Sequence, residues 1–75
     1  MDNICIKFGE NVRKYRLKKG YSQEKFAEVV GLHRTYISAA ERGKRSIALE
    51  NIEKIAIGLE IEVYKLFEFK VEGGK

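Results

Sequence analysis

The sequence predicts an all-α domain built from five short helices. Apolar residues recur at the spacing of a helix along most of the chain, glycines follow the first three helical segments, and no proline interrupts them. The chain has 75 residues, enough for one domain with one small core. We therefore expect residues 1–75 to form a single domain whose stability comes from helix packing.

The first helix is predicted from one apolar face and a clear stop. Phe8, Val12 and Tyr15 recur at helical spacing within about Ile4–Lys19. Gly20 follows two lysines, which is typical of a helix end because cations favour the negative end of the helix and glycine turns left-handed easily.

The second and third helices are short and are separated by a tight turn. Ser22 is the expected N-cap of a helix over about Gln23–Val30, and Gly31 ends it. After three turn residues, a third helix is expected over about Arg34–Arg42, ending at Gly43.

The sequence from Lys44 onward predicts a loop and two more helices. The loop covers about Lys44–Ala48, a fourth helix covers about Leu49–Leu59, and a fifth covers about Glu62–Phe67. Apolar and polar residues alternate over Phe67–Val71, which is also compatible with a short strand.

Composition excludes several classes of protein. One cysteine, Cys5, cannot form an internal disulfide, and with one histidine, His33, no conventional metal site is expected. No apolar run approaches the ~20 residues that span a bilayer, and the start lacks the pattern of a secretion signal. We expect a cytoplasmic protein with no membrane partner.

The charge is unevenly distributed along the chain. Residues 1–45 hold eleven lysines and arginines against five acidic residues, whereas residues 46–75 hold four against six. A basic front half and a mildly acidic rear half indicate a polyanionic partner on one side of the protein. A lysine-rich solvated surface without such a partner would show the same distribution.

The segment of about residues 22–43 matches the helix-turn-helix pattern of two short helices joined by a tight turn with a central glycine. In such a pair the second helix enters the major groove of DNA and needs outward polar residues at its start. The outward candidates are Arg34, Thr35, Tyr36 and Ser38, and the inward ones are Leu32, Ile37 and Ala40. A plain helical hairpin in a small bundle would give a similar pattern.

The motif YSQEKFAEVVGLHRTYISAAERGKRS resembles the central signature of the lambda-repressor-like (Cro/repressor, or XRE) class, and the resemblance extends over Phe8–Phe67. Within that class, LHRTYISAAERGKR and the later Ile-Gly-Leu-Glu-Ile stretch are similar to the controller proteins of restriction–modification systems. The resemblance implies a five-helix lambda-repressor-like fold and a sequence-specific regulator that binds double-stranded DNA.

The resemblance assigns DNA contacts to individual residues. Gln23 matches a glutamine that binds a DNA phosphate, and Arg34 and Thr35 match positions that contact bases. Tyr36 and Ser38 match positions that contact the backbone or nearby bases.

Five further residues take roles from the resemblance. Arg45 matches an arginine that reaches DNA in controller proteins, and Lys44, with Arg42, is expected at phosphates or in solvent. Arg16 and Glu41 match a buried ion pair that ties the first helix to the third.

Three positions depart from the family pattern. Ala40 replaces a larger aliphatic residue, so we expect another side chain to fill the core behind the third helix. His33 replaces the usual cap; it is interpreted as a structural residue, with a weak cap or a phosphate contact as the alternative. Glu60 replaces the common glycine after the fourth helix.

The rear half predicts a dimer. It holds more apolar side chains than one small core is expected to bury, namely Ile57, Ile61, Val63, Leu66, Phe67 and Phe69. Surplus apolar surface usually marks an interface, so we expect a homodimer built from about residues 49–71 that binds a two-fold operator.

An enzyme is not expected, because the sequence shows no nucleophile–base pair and no glycine-rich phosphate loop. No cofactor and no small-molecule ligand are expected either. The alternative to a transcriptional regulator is an antitoxin-like module that binds a protein and regulates its own gene. The chain after residue 67 is short for wrapping a partner, which favours the regulator. A scaffold that uses this fold for protein contacts alone is a third interpretation.

Overall fold

The computed structural model describes residues 3–70 and contains four α-helices followed by a 3₁₀ segment. The helices are α1 (Ile4–Lys18), α2 (Gln23–Val30), α3 (Arg34–Glu41) and α4 (Leu49–Leu59), and the 3₁₀ segment is Val63–Phe67. The all-α class is confirmed. The fifth predicted helix is present as a 3₁₀ turn, and residues 68–70 form no strand; Val71 lies outside the described residues.

The helix ends follow local capping chemistry. The Asn3 side chain accepts a hydrogen bond from the Ile6 N–H at 3.0 Å, and Ser22 Oγ accepts one from the Lys25 N–H at 2.9 Å. His33 precedes α3 but makes no side-chain capping bond. Gly31 has a φ of 76°, and its N–H donates to the Ala27 carbonyl at 2.8 Å, so α2 ends in a left-handed turn.

Glu60 ends α4 in the left-handed region, where glycine is usual, with a φ of 60°. The Lys19 ammonium donates a hydrogen bond to the Glu60 carboxylate. This bond raises the pKa of Lys19 and lowers the pKa of Glu60. Because the side chains of Lys19 and Glu60 are 32% and 74% exposed, water screens the pair, and it links the end of α1 to the end of α4 without contributing much stability.

The core lies between all four helices and the 3₁₀ segment. Its largest fully buried side chains are Phe26, Ile37, Ile55, Leu59, Leu66 and Val12. The expectation that Leu66 lies at a dimer interface is therefore wrong, because its side chain completes the monomer's own core at 0% exposure. Phe67 is half-buried and packs on Phe8 with 5.2 Å between ring centroids.

The backbones of α1 and α3 approach each other closely. A Cβ atom on Gly9 would lie 2.2 Å from the carbonyl oxygen of Ala40, and Ala40 is 1% exposed. The small residue at position 40 is thus accommodated by helix approach and not, as expected, by another side chain filling the space. Gly43 is similarly close, since its Cβ would lie 2.6 Å from the Cα of Ile6.

We expect Gly9→Ala to lower the free energy of unfolding by about 1–3 kcal/mol, because the added methyl group meets rigid backbone carbonyls. Urea denaturation followed by circular dichroism measures the change. Glu10→Ala, at the exposed position next to Gly9 on α1, is the control and should stay within about 0.5 kcal/mol of the wild type. Helix propensity alone favours alanine by about 1 kcal/mol, so a stabilised Gly9→Ala protein would contradict the close approach.

Candidate nucleic-acid interface

The first residues of α3 form a polar edge that faces solvent. Arg34 and Thr35 are exposed, and Tyr36 and Ser38 are half-buried, while Ile37 is fully buried beneath them. This arrangement follows from the sequence, since residues three or four apart share a helix face and only Ile37, Ala40 and Glu41 of α3 are buried. The side chains at the start of α3 are therefore free to contact another molecule.

A buried ion pair fixes α3 against α1. Arg16 Nε donates to Glu41 Oε2 at 2.5 Å, and Arg16 Nη2 donates to Glu41 Oε1 at 3.0 Å. A third donor, Nη1, reaches the Tyr21 carbonyl at 2.8 Å. Arg16 is 6% exposed and Glu41 is 7% exposed, so both charged groups are buried. The two parallel hydrogen bonds between them offset the cost of removing these charges from water.

Gln23 joins the same network from the first turn of α2. Its Nε2 donates to Glu41 Oε1 at 3.0 Å. An amide nitrogen carries two hydrogens, so one N–H of Gln23 remains available to a ligand. An open concavity between the starts of α2 and α3 is lined by Arg16, Ser22, Gln23, Glu24 and Arg34. Two cationic side chains against one carboxylate, together with the backbone N–H groups at the start of α2, favour an anion there.

Arg45 lies over an aromatic ring of α3. Its guanidinium carbon is 4.6 Å from the centroid of the Tyr36 ring, and Arg45 itself is exposed. The Tyr36 hydroxyl accepts a hydrogen bond from Asn51 Nδ2 at 2.9 Å, which connects α3 to the first turn of α4. Sequence reasoning missed Asn51, because a single asparagine early in a helix carries no periodic signal.

The remaining basic residues lie at the other end of α3. Arg42 Nε donates to the Ser38 carbonyl at 3.3 Å, and the Lys44 side chain is exposed in the loop that follows. Like Arg34 and Arg45, both residues are exposed to solvent.

Comparison with known proteins decides the family. Residues 12–66 match the Helix-turn-helix family HTH_3. The chain is also 48% identical over 73 residues to Control protein C.BamHI of Bacillus amyloliquefaciens, covering 96% of this chain and 90% of that relative. The chain belongs to the helix-turn-helix family.

Solved structures agree with this helix-turn-helix assignment. The restriction–modification controller protein C.AhdI from Aeromonas hydrophila has a TM-score of 0.82 at 46% identity, covering 84% of this chain and 96% of that one. The biofilm regulator SinR, solved in complex with DNA, has a TM-score of 0.78 at 31% identity, covering 81% of this chain and 98% of that one. The predicted resemblance to XRE-type regulators and controller proteins, which are not enzymes, is confirmed.

The predicted dimer residues of this helix-turn-helix protein differ in accessibility. Ile57 is 69% exposed and Val63 is 43% exposed, whereas Ile61, Phe67 and Phe69 are half-buried. Sequence reasoning missed Val29, which is 42% exposed and lines a shallow groove with Ile57. No helix within residues 3–70 is long and apolar enough to cross a membrane.

We expect Glu41→Ala to lower the free energy of unfolding by about 3–5 kcal/mol, because it leaves the Arg16 guanidinium buried without its carboxylate. Thermal and urea unfolding measure this loss. Glu53→Ala, which removes an exposed carboxylate of α4, should stay within about 0.5 kcal/mol of the wild type.

A double variant distinguishes the loss of stability caused by an unpaired buried charge from the loss caused by missing side-chain volume. Arg16→Met combined with Glu41→Leu replaces the pair by apolar side chains and should recover part of the stability that Glu41→Ala loses. A Glu41→Ala protein with the same melting temperature and urea midpoint as the wild type would show that the pair does not stabilise the fold.

Proposed function

We propose that the protein is a transcriptional regulator that binds a two-fold DNA operator as a homodimer and controls the genes of a restriction–modification system. The observation that carries the proposal is the exposed polar edge at the start of α3, held against α1 by the buried Arg16–Glu41 pair. Similarity to the control proteins C.BamHI and C.AhdI, and to SinR in complex with DNA, supports both the ligand and the class of genes.

The exposed edge offers the chemistry that the major groove requires. Arg34 can donate two hydrogen bonds to guanine O6 and N7, and Thr35 can contact a thymine methyl group or a base edge. We assign Tyr36, Ser38 and Arg45 to the DNA backbone and neighbouring bases. The remaining N–H of Gln23 and the Lys44 ammonium are assigned to phosphates, which position the protein on the duplex.

A homodimer is supported by the apolar side chains that the monomer leaves exposed. We assign the interface to the rear segment, about residues 49–71, with Ile57 and Val63 at its centre because they are the most accessible of the proposed set. A two-fold axis through this region would place the two copies of α3, the recognition helices of the proposed complex, about 34 Å apart, which is one turn of DNA. Each protomer contributes residues 22–43 to one half-site. A DNA target and a lone unpaired cysteine support a cytoplasmic location.

Selection of duplexes from random DNA tests the proposal directly. The wild type is expected to enrich two inverted half-sites whose centres are roughly ten base pairs apart. Enrichment of a single unrepeated site, or of no sequence, would contradict a two-fold operator.

The selected duplex then separates base contacts from phosphate contacts. Arg34→Ala should weaken binding by about 1–3 kcal/mol and relax the preference at one position in each half-site. Lys44→Ala should weaken binding to selected and scrambled duplexes alike and make affinity less sensitive to salt. Fluorescence anisotropy at several salt concentrations measures both effects. Equal losses for the two variants on both duplexes would show that these roles are wrong.

The dimer is tested by placing charge on the exposed apolar side chains. Ile57→Glu combined with Val63→Glu should give monomers that keep their helical content and bind the selected duplex far more weakly. Leu17→Glu is the matched control, since Leu17 is 51% exposed on α1 and lies outside the proposed interface. Sedimentation velocity measures the association state. A monomeric wild type at micromolar concentration that still binds its operator tightly would contradict the homodimer.

A further inference from the structure

Three side chains from different elements meet beside the recognition helix. Tyr36 comes from α3, Arg45 from the loop after it, and Asn51 from the first turn of α4. The Arg45 guanidinium lies over the Tyr36 ring at 4.6 Å, and Asn51 Nδ2 donates to the Tyr36 hydroxyl at 2.9 Å. Only Arg45 of the three is exposed; Tyr36 and Asn51 are half-buried.

The hydrogen bond from Asn51 constrains the Tyr36 side chain. It fixes the rotation of the phenol about its side-chain bonds, because Asn51 belongs to a helix whose own position is set by the buried Ile52 and Ile55.

The position of the ring determines the position of Arg45. An exposed arginine side chain loses rotamer freedom when it binds a ligand, and this loss lowers affinity. When Arg45 stacks on a ring that is itself fixed, its side chain is already partly ordered in the free protein. Less rotamer freedom is then lost when DNA binds. The loop of residues 44–48 has no helical or strand hydrogen bonding that could restrict Arg45 in the same way.

We infer that Asn51 is a positioning residue for DNA recognition, acting through the Tyr36 ring on Arg45. The inference rests on the proposed function, because it concerns the DNA affinity of the helix-turn-helix. Asn51 need not contact DNA itself. Its contribution depends on Arg45 being present, and this dependence distinguishes positioning from a general role in holding α4 against α3.

A double-mutant cycle with Arg45 tests this dependence. The probe is the duplex selected by the wild type from random DNA, and the measurement is the dissociation constant by fluorescence anisotropy. Asn51→Ala should lower affinity about two- to tenfold in the wild-type background, the range that corresponds to the loss of one hydrogen bond. In the Arg45→Ala background the same substitution should change affinity less than about twofold.

Two further variants complete the design. Tyr36→Phe removes the acceptor of the hydrogen bond without altering α4, so it should lower affinity at least as much as Asn51→Ala, and adding Asn51→Ala to it should have little further effect. Asn11→Ala is the matched control, because Asn11 Nδ2 donates to the Leu66 carbonyl at 3.0 Å in a half-buried site between α1 and the 3₁₀ segment. It should leave affinity unchanged.

The outcomes are distinguishable. Equal losses from Asn51→Ala with and without Arg45, or no loss in either background, would overturn the positioning role while leaving DNA binding intact. Additive losses from Asn51→Ala and Tyr36→Phe would overturn it as well. A wild type that binds selected and scrambled duplexes equally would overturn the proposed function, and the role of Asn51 with it.

Discussion

The buried pair between Arg16 and Glu41 is the interaction on which the arrangement of the helix-turn-helix depends. An eight-residue helix such as α3 is unstable by itself and must take its position from tertiary contacts. Its apolar contribution is small, since Ile37 and Ala40 are its only buried apolar residues. Glu41 adds an anchor at its last turn that accepts from Arg16 of α1 and Gln23 of α2. One carboxylate thus orients three helices, and within residues 3–70 no buried side-chain polar atom is left without a partner.

Small residues allow α1 and α3 to come close enough for this ion pair to form. Because Gly9 carries no side chain and Ala40 only a methyl group, the backbones of α1 and α3 approach until a Cβ on Gly9 would overlap the Ala40 carbonyl. Close approach brings the Arg16 guanidinium within direct reach of Glu41 and excludes water from the pair, which strengthens both hydrogen bonds. It also turns the opposite face of α3 outward. The same contact that stabilises the fold therefore leaves the polar side chains at the start of α3 in solvent.

The helices whose bounds could be predicted well are those whose ends are determined by residues close to them in the sequence. The predicted and observed bounds of α2 agree because Ser22 caps its start and Gly31 ends it. The bounds of α4 agree through apolar spacing alone, since Ala48 makes no side-chain capping bond at its start. Leu66 could not be assigned in the same way. An excess of apolar side chains predicts that some are exposed, but the packing of α1 and α4 decides that Leu66 is buried and Ile57 is not. The roles proposed for Gln23 and Arg45 required the family resemblance, and Asn51 required the structure, since its partner is fifteen residues away along the chain.

Helix α4 connects the two surfaces that the proposed function requires. Asn51 in its first turn contacts the recognition helix, and Ile57 is exposed about 9 Å further along the helix axis, given a rise of 1.5 Å per residue. If protomers associate through Ile57, α4 links the dimer interface to Asn51. The placement of the two-fold axis then determines where Tyr36 and Arg45 of each protomer lie. The charge distribution suits this division, because the rear residues 46–75 carry a small net negative charge and the front residues 1–45 carry the positive excess. Two protomers that associate through residues 46–75 would bring together segments of small net charge. The phosphates of the DNA would relieve the repulsion between the basic residues 1–45 of the two copies.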